Sequence, residues 1–381
     1  MAKEKPPKKT SADPARGPSL SELRGQIDRI DRELVKLMND RANVAHEIGQ
    51  LKNQHGLECY SPAREEEVLA RVAGANGGPL EERCIRAVFR ELISGSRSVE
   101  TALRVAYLGP EYTYSHLAAI HRFGQSVELV PVGTIGAVFE EVKSKHVNFG
   151  LVPLENSTDG RVADTLDMFT RMPAKICGEV QLRIHHNLLG KESRVKVEEV
   201  YSKPQALSQC RNWLAKHLPE ARTIEVTSTA TAAQLARDKP GAAAIASVQA
   251  GINYGLDVLA ADIEDVSGNT TRFAVIGQTS GAKTGNDKCA LMFEVPHQPG
   301  ALADAMMVFK RAKLNLTWIE SFPIARPEGG YLFFVELEGH ETDTRVKKAI
   351  KSLAGLSVHL EVLGSYAKTG TNGNNGTEVQ S

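Results

Sequence analysis

The first hundred residues carry a hydrophobic pattern of helical period. Apolar residues alternate at spacings of three and four, at positions 20, 23, 27, 30, 34 and 37 and again at 44, 48 and 51. Ser19 precedes this run and Glu22 follows three residues later, which is the signature of a capping box at a helix start. The pattern predicts a helix of about 35 residues whose apolar seam is interrupted only at Arg41.

A seam of this length has to be buried against other helices. Two further helices are predicted near 62–74 and 79–100, separated by the breaker Gly77-Gly78-Pro79. Because one chain supplies only these two partners for the long seam, the pattern implies an all-α segment that forms a dimer of helices.

From residue 103 the pattern changes to short β-rich runs that alternate with helical stretches, at 103–109, 127–133, 148–154, 197–201, 223–228, 242–246 and 271–277. This alternation predicts α/β units with a largely parallel sheet. A polar stretch from Thr279 to Lys288 is interpreted as a linker. The remainder predicts the βαββαβ order of a ferredoxin-like fold, with strands at 289–296, 315–323, 330–338 and 357–364 and helices at 300–313 and 342–354.

Composition excludes several classes of protein. The 46 basic and 46 acidic residues cancel, so no global field favours nucleic acid or a membrane surface. No apolar run approaches the ~20 residues of a membrane span. Residues 1–18 are rich in proline and lysine without an apolar stretch, which indicates a disordered tail rather than a signal peptide, and 368–381 indicate a second tail. The five cysteines are scattered, so we expect reduced thiols, a cytoplasmic location, no metal site and no cofactor.

Three cations on the long helix are constrained by its geometry. At a rise of ~1.5 Å per residue, Arg41 and Lys52 share a face about 16 Å apart, where two long side chains can grip one small dianion from both ends. Arg24 lies about 42 Å from Lys52, so it can reach only the site of a partner protomer. The alternative is a solvated helix face. Arg41 argues against it, because an unpaired charge buried in the seam costs several kcal/mol.

Residues 20–100 resemble the all-helical chorismate mutases, through LRGQIDRIDREL, NDRANVAHEIGQLK, YSPAREEEVL and FRELISGSRSVE. The resemblance implies an intertwined dimer with two sites, each of which borrows one arginine from the partner. Chorismate would rearrange to prephenate without a nucleophile, while Lys52 and a protonated Glu100 act near the ether oxygen. Ser61 stands where some members carry an aspartate that contacts substrate. The implied substrate-binding residues are Arg24, Arg41, Lys52, Ser61, Arg64, Glu65, Ser96 and Glu100.

Polar clusters in the α/β segment lie where predicted strands end and helices begin. They are the stretches GPEYTYSHLA, GLVPLENSTDGRV, SKPQALSQC with TSTATAA, and IEDVSGNTTRFAVIG. Polar residues at the carboxyl ends of strands are where open α/β sheets bind ligands. Each cluster alone fits a capped helix, but four together favour a ligand cleft. The candidate residues are Thr113, Ser115, Glu155, Asn156, Ser157, Thr271 and Arg272.

Residues 103–278 resemble the prephenate dehydratases, most specifically in the Thr-Arg-Phe at 271–273. The resemblance implies two α/β subdomains around a cleft, similar in form to periplasmic binding proteins. The sequence departs from the family pattern at Lys203, where histidine is usual, at Tyr112, which replaces a glycine, and at Tyr114, which replaces a phenylalanine.

Prephenate loses CO₂ and hydroxide together, and hydroxide needs a proton or a strong hydrogen bond to leave. Thr271 is interpreted as the donor that orients the departing hydroxyl, and Glu155 as a candidate proton source. Arg272 is assigned either to the pyruvyl carboxylate or to support of the loop. We interpret His116, His185 and His186 as structural.

The last segment resembles the ACT regulatory domain of these dehydratases, through EVPHQPGALADAM and NLTWIESFPIARPEGGYLFFVELEGH. The implied effector is phenylalanine. The second motif usually has the sequence Glu-Ser-Arg-Pro, but Phe322 stands here in place of the arginine. The implied allosteric residues are Gly300, Ala301, Leu302, Glu320 and Ser321.

The sequence therefore predicts a bifunctional enzyme of phenylalanine biosynthesis with domains at 19–100, 103–279 and 288–367. One alternative is a dehydratase that acts on arogenate, which carries an amine where prephenate has a ketone. Another is a non-catalytic amino-acid sensor that keeps the same folds. The sensor is disfavoured by the intact set of Arg24, Arg41, Lys52, Arg64 and Thr-Arg-Phe. Comparing the turnover of prephenate with that of arogenate would distinguish the two enzyme hypotheses.

Overall fold

The computed structural model describes residues 19–55, 62–100, 103–158, 160–324 and 330–368. The predicted tail 1–18 and residues 369–381 lie outside these ranges. The helical segment consists of α1 (Leu20–Gln54), α2 (Pro62–Gly74) and α3 (Glu82–Glu100). The predicted capping box is confirmed: the backbone N–H of Ser19 donates to Glu22 Oε2 at 2.7 Å, and that of Glu22 donates to Ser19 Oγ at 3.3 Å.

The apolar seam of α1 is exposed in the single chain. Exposure reaches 57% at Ile27 and 49% at Ile48, although α3 packs along part of the helix. The exposed seam residues are Leu20, Leu23, Ile27, Ile30, Leu34, Leu37, Val44, Ile48 and Leu51. The predicted long helix is confirmed, and its uncovered apolar face has the character of a contact surface. No helix within the described ranges combines the length and apolar character of a membrane span.

The α/β segment alternates strands and helices over residues 104–277. Its elements are β1 (Arg104–Leu108), α4 (Tyr114–Phe123), β2 (Glu128–Val132), α5 (Ile135–Lys143), β3 (Phe149–Asn156), β4 (Gly160–Arg161), α6 (Ala163–Arg171), β5 (Lys175–Arg183), β6 (Asn187–Gly190), β7 (Glu199–Ser202), α7 (Pro204–Gln209), α8 (Arg211–His217), β8 (Arg222–Glu225), α9 (Thr229–Asp238), β9 (Ala242–Ala246), α10 (Val248–Tyr254), β10 (Asp257–Ala260) and β11 (Thr270–Gly277).

These strands form two mixed sheets. The first has the order β2-β1-β3-β11-β5 with β4 beside β3, and the second has the order β10-β6-β9-β7-β8. The prediction of a largely parallel arrangement was wrong, because β11 runs antiparallel to both β3 and β5, and β6 runs antiparallel to β9 and β10. The sequence prediction missed β5, whose charged and glycine residues interrupt its apolar pattern, and the short β4, β6 and β10.

The chain crosses between the two sheets twice, after β5 and after β10. In the first crossover, His185 Nδ1 lies 3.0 Å from Asp262 Oδ1 and 3.1 Å from Glu264 Oε1 of the second. The two connections are therefore joined to each other where they pass between the sheets.

The C-terminal segment has the predicted βαββαβ order. It consists of β12 (Asp287–Glu294), α11 (Ala301–Arg311), β13 (Leu316–Pro323), β14 (Tyr331–Glu338), α12 (Thr344–Ala354) and β15 (His359–Ala367). The antiparallel sheet order β13-β14-β12-β15 confirms the ferredoxin-like arrangement. Lys368, where a disordered tail was predicted to begin, continues this structure and pairs with Glu338 at 2.8 Å.

One hydrophobic core joins the C-terminal segment to the first sheet. Phe334 and Tyr366 are buried in the same cluster as Phe169 and Ile176. The approach is close at Gly364, where a Cβ atom would meet backbone atoms of Ile176 and where φ is +137°. Only glycine fits this conformation and this space without strain. The first sheet and the C-terminal sheet therefore form one packed unit.

Candidate active and regulatory sites

Arg41, the charged residue in the apolar seam, has a partner on α3. Its Nη1 donates to Ser96 Oγ at 2.8 Å, and Ser96 Oγ donates to the carbonyl of Leu92 at 2.7 Å. The structure thus brings together two of the residues predicted for the first substrate site, one from each of the two long helices.

Glu65 lies beside this pair in an ion-pair cluster. Its side chain is only 14% exposed and contacts Arg97 of α3, while its Oε2 lies 3.6 Å from Nη1 of Arg122. Burial raises the pKa of Glu65, and Arg97, Arg122 and Arg41 oppose this by favouring the carboxylate. Arg122 belongs to α4 of the α/β segment and was not foreseen, because no sequence pattern connects it with α2.

The other residues predicted for this site are more dispersed. Lys52 is half-buried in the last turn of α1, and Arg24 is exposed near the start of the same helix. Arg64 is largely exposed and pairs with Glu67 at 2.6 Å. Ser61 and the side chain of Glu100 lie outside the described part of the chain.

Thr271 and Asn156 are paired across adjacent strands of the first sheet. The register joins Thr271 of β11 to Asn156 of β3, and Asn156 Nδ2 donates to Thr271 Oγ1 at 2.8 Å. Since this oxygen accepts, the hydroxyl proton of Thr271 is available to donate elsewhere. Ser157 supports the same strand end, because its Oγ accepts from the backbone N–H of Thr270 at 2.9 Å.

A polar network extends from this pair to the second sheet. Asn156 Nδ2 also donates to Asn269 Oδ1 at 2.9 Å, and Asn269 Nδ2 donates to Gln209 Oε1 at 2.7 Å. His186 Nε2 lies 2.9 Å from the same Gln209 oxygen. Tyr114 closes the network by donating to the carbonyl of His185 at 2.5 Å, and burial raises the pKa of its hydroxyl well above the usual range. Gln209 and His186 were not predicted as site residues, although Gln209 belongs to the SKPQALSQC cluster and His186 directly precedes β6.

Thr113 serves as the N-cap of α4. Its Oγ1 accepts from the backbone N–H of His116 at 3.4 Å and donates to the carbonyl of Pro110 at 2.9 Å. Ser115 is buried in the first turn of the same helix. The preceding Tyr112 has φ of +65°, and its N–H donates to His116 Nδ1 at 2.9 Å. Tyr112 therefore keeps the left-handed backbone for which a glycine would be favoured.

Glu155 and Arg272 lie on the opposite face of the sheet from Thr271. Successive residues of a strand point to opposite faces, and the register pairs Arg272 with Glu155 as it pairs Thr271 with Asn156. Arg272 Nε donates to Glu155 Oε2 at 3.2 Å. The structure does not bring the predicted proton source Glu155 to the Thr271 hydroxyl.

Arg272 is buried in an ion-pair network with the C-terminal segment. Its Nη1 donates to both carboxylate oxygens of Glu336, at 2.6 and 2.8 Å, and lies 3.4 Å from Glu179. Lys288 Nζ donates to Glu179 at 2.8 Å, and the Tyr366 hydroxyl donates to Glu336 at 2.7 Å. These carboxylates raise the pKa of Arg272 against the opposing effect of burial. Of the two roles predicted for Arg272, this geometry favours structural support over substrate binding, although Arg272 holds strand β11 rather than the predicted loop.

The predicted effector motifs lie at the start of α11 and on the edge strand β13 of the C-terminal sheet. Gly300 caps α11 with φ of +89°, followed by the buried Ala301 and the part-exposed Leu302. On β13, Glu320 Oε2 accepts from Arg161 Nη1 at 2.8 Å, and the Ser321 carbonyl accepts from the same atom at 3.3 Å.

Phe322 takes part in the same contact. The guanidinium of Arg161 lies 4.8 Å from the centre of the Phe322 ring. The ring itself packs against the core shared with the first sheet. The residue that departs from the usual motif therefore contacts the α/β segment.

Comparisons with known proteins cover all three segments. Family models match for chorismate mutase type II at residues 23–101, prephenate dehydratase at 105–281 and the ACT domain at 290–355. A bifunctional chorismate mutase/prephenate dehydratase of Aquifex aeolicus is 43% identical over 354 residues, which are 92% of this chain and 98% of that protein.

Two solved structures resemble the α/β and C-terminal segments. The prephenate dehydratase of Arthrobacter aurescens, solved in complex with L-Phe, is 31% identical with a TM-score of 0.64 and covers 70% of this chain and 90% of its own. That of Staphylococcus aureus is 30% identical with a TM-score of 0.61 and covers 69% of this chain and 100% of its own.

Fold, sites and comparisons define a multidomain enzyme with two catalytic segments and an attached ACT domain. The chain belongs to the family of bifunctional chorismate mutase/prephenate dehydratases. Its activities are those of an isomerase and a carbon–oxygen lyase. Of the alternatives open from sequence, the non-catalytic sensor is not favoured.

Proposed function

We propose that this chain converts chorismate to prephenate in a mutase domain at 19–100 and prephenate to phenylpyruvate in a dehydratase domain at 103–279. The ACT domain at 288–367 adjusts the second reaction to the supply of phenylalanine. The observation that carries the dehydratase proposal is the Thr271 hydroxyl, which accepts from Asn156 at 2.8 Å and keeps its own proton available to donate.

In the mutase reaction, the protein holds one compact conformer of a dianion. Arg41, held by its hydrogen bond to Ser96 at 2.8 Å, binds one carboxylate of chorismate. Lys52 lies about 16 Å further along α1 and reaches the substrate from its other end, where it contacts the ether oxygen. Arg24 completes the site of the partner, since it is too distant to reach its own. The exposed seam of α1 provides the surface for this homodimer, and its burial stabilises the pair by about 25 cal/mol per Å² of apolar area.

In the dehydratase reaction, the departing hydroxyl must be protonated as CO₂ leaves. Thr271 donates a hydrogen bond to that oxygen, and water in the cleft supplies the proton with which the hydroxide leaves as water. Asn156, which also donates to Asn269, orients the Thr271 hydroxyl. Glu155 and Arg272 act from the other face of the sheet by fixing the strand that carries Thr271. Because Arg272 is bound on that face, it does not hold the carboxylate that departs as CO₂. The negative charge of that carboxylate can therefore disperse as the bond breaks.

Phenylalanine is proposed to bind between two ACT domains. The helix that follows Gly300 presents free amides to the effector carboxylate, and strand carbonyls near Glu320 and Ser321 of a partner take its ammonium group. The L-Phe bound to the Arthrobacter dehydratase supports this choice of effector. The cytoplasmic location expected from sequence stays a prediction.

The deciding experiment offers purified protein chorismate, prephenate and arogenate in separate assays. We expect prephenate from chorismate and phenylpyruvate from prephenate. Faster turnover of arogenate than of prephenate would replace the proposed dehydratase substrate, and no chorismate turnover would overturn the mutase assignment alone.

A further inference from the structure

The dehydratase domain places a cation against the mutase site. Arg122 stands in the last turn of α4, and its Nη1 lies 3.6 Å from Oε2 of Glu65 on α2. Both side chains are well shielded from solvent, at 16% and 14% exposure. An ion pair in such surroundings is screened much less than one on the surface.

The C-terminal end of α4, where Arg122 lies, contacts α3 at Gly124 and Gln125. Gly124 ends α4 with φ of +80°, and a Cβ atom there would lie 2.5 Å from Cβ of Ser94. Beside it, Glu91 Oε2 accepts from the backbone N–H of Gln125 at 3.1 Å. The last turn of α4 is therefore anchored to the mutase helix rather than free in solution.

Cations keep Glu65 in the carboxylate form, which is a stronger hydrogen-bond acceptor than the protonated acid. A carboxylate only accepts, and chorismate has one hydroxyl that can donate to it. Burial favours the protonated form of Glu65, while Arg97, Arg122 and Arg41 favour the carboxylate. Arg97 and Arg41 belong to the mutase domain, but Arg122 does not.

We propose that Arg122 is a positioning residue of the mutase reaction, supplied by the dehydratase domain, which holds the Glu65 carboxylate ionised and aimed at the hydroxyl of chorismate. The inference rests on the proposed mutase function and on the place of Glu65 in that site. It also gives α4 two roles, since Thr113 at its start belongs to the dehydratase cleft and lies about 14 Å along the helix from Arg122.

Other charged groups surround Glu65, and a pH experiment has to separate them. A cavity of about 120 Å³ opens where mutase, dehydratase and ACT segments meet beside Glu65. His121 is the neighbour that needs a control, because burial, Arg90 and Arg122 together lower its pKa to about 4. The groups that face Glu65 are Arg41 of α1, Glu66 of α2, Arg90 and Arg97 of α3, His121 and Arg122 of α4, Glu179 of β5 and Lys368 after β15.

The test compares kcat/KM for chorismate between Arg122→Gln and wild type from pH 5 to 9. Loss of the cation raises the pKa of Glu65 further, so the active carboxylate is lost at a higher pH than in wild type. A nearby opposite charge changes a carboxyl pKa by about one or more, so the ratio should fall to about one tenth on the acid side and return to one at high pH. Arg122→Lys keeps the charge and should remain close to wild type throughout.

Three controls distinguish this role from a structural one. Dehydratase turnover of prephenate by Arg122→Gln should equal wild type, which shows that the chain is folded. Arg104→Gln removes a surface arginine of the same domain, which pairs with Glu128 at 2.9 Å. Its kcat/KM for chorismate, divided by that of wild type, should stay at one at every pH. Adding Arg122→Gln to Glu65→Gln should cause no further pH-dependent change in kcat/KM, because position 65 then has no carboxyl group to titrate.

A ratio of one at all pH values, or a loss that does not vary with pH, overturns the proposal. A pH-dependent loss that persists in the Glu65→Gln background assigns the effect to His121 and overturns it as well. Absence of chorismate turnover in wild type would instead remove the mutase function on which the inference rests.

Discussion

Arg272 and Glu336 join the dehydratase strand to the ACT sheet through one buried contact. Nη1 of Arg272 lies 2.6 and 2.8 Å from the two carboxylate oxygens of Glu336, whose side chain is 1% exposed. The neighbouring residue on the same strand, Thr271, faces the other side of the sheet. A displacement of the ACT sheet is therefore transmitted through a single peptide unit to Thr271, whose hydroxyl we propose to be catalytic.

Removing this contact should affect stability and turnover more than substrate affinity. Arg272→Gln leaves Glu336 and Glu179 with Lys288 as their remaining close cation, and breaking a buried ion pair on one side costs about 3–5 kcal/mol. We expect a lower free energy of unfolding in urea and a lower kcat on prephenate, with KM changed little. Arg104→Gln, at an exposed pair, should cost less than about 1 kcal/mol. A large rise in KM with unchanged stability would return Arg272 to the substrate carboxylate.

Thr271→Ala should lower dehydratase turnover by about 10²–10⁴, as for loss of a positioned donor near a departing group. Mutase turnover should not change, because the residues assigned to the mutase site lie in the helical segment and not on β11. Thr270→Ala is the matched control, since the Thr270 hydroxyl donates only weakly, to the carbonyl of Gly268 at 3.3 Å. Near-normal turnover in Thr271→Ala would place the proton-transfer chemistry elsewhere, with Glu155 examined next.

Arg24→Ala and Arg41→Ala should each abolish mutase activity and spare the dehydratase. When the two variants are mixed and exchange subunits, one of the two sites in each heterodimer draws on intact copies of both arginines. Activity should therefore return to about one site per heterodimer, measured as prephenate formation. Mixtures that stay inactive despite proven exchange would show that Arg24 does not serve the partner.

Mutase activity should fall as pH rises through the pKa of Glu100. A carboxylate cannot donate to the ether oxygen of chorismate, whereas the protonated acid can. Glu100→Gln donates at any pH and should flatten this fall. A wild-type profile that is already flat from about pH 5 to 9 would contradict this role for Glu100.

Phenylalanine should inhibit the dehydratase although Phe322 replaces the usual arginine. Backbone groups near Gly300 and β13 can hold the effector, and the Phe322 ring instead lies 4.8 Å from the guanidinium of Arg161. Phe322→Ala should shift the effector response modestly, since such a contact contributes about 0.5–1 kcal/mol at part-exposed sites. Phe322→Leu keeps the apolar packing without the ring face and serves as the control. Inhibition that appears only in Phe322→Arg would show that the arginine is essential.

The sequence predicted best what depends on local periodicity. The long helix, its capping box and the βαββαβ order follow from residue spacing, and the structure confirms them. Strand alternation also predicts that Thr271 and Arg272 face apart, but the sequence does not say which face meets the ACT domain. The partner of Arg272 is Glu336, 64 residues away, so it emerges only from the packing of the two sheets.

The site residues that were not predicted also depend on contacts between segments far apart in the sequence. Arg122 reaches Glu65 because α4 ends against α3, and Gln209 reaches Asn269 because two sheets meet at a cleft. The mixed parallel and antiparallel order of the sheets was not predicted for a related reason. Gly178 and Glu179 of β5 are buried because β11 lies on one side of this strand and β15 of the C-terminal sheet on the other.

The contact between Arg161 and Phe322 means that the regulatory and catalytic parts of this chain are a matched pair. If the ACT domain of a relative with the Glu-Ser-Arg-Pro motif were grafted onto this dehydratase, its guanidinium would arrive beside that of Arg161, and like charges at short range repel. In such chimeras, phenylalanine binding to the ACT domain should therefore have little effect on dehydratase activity unless residue 161 is changed together with the graft. Although the domains are separate in sequence, evolution could exchange them here only as a coordinated change on both sides of the contact.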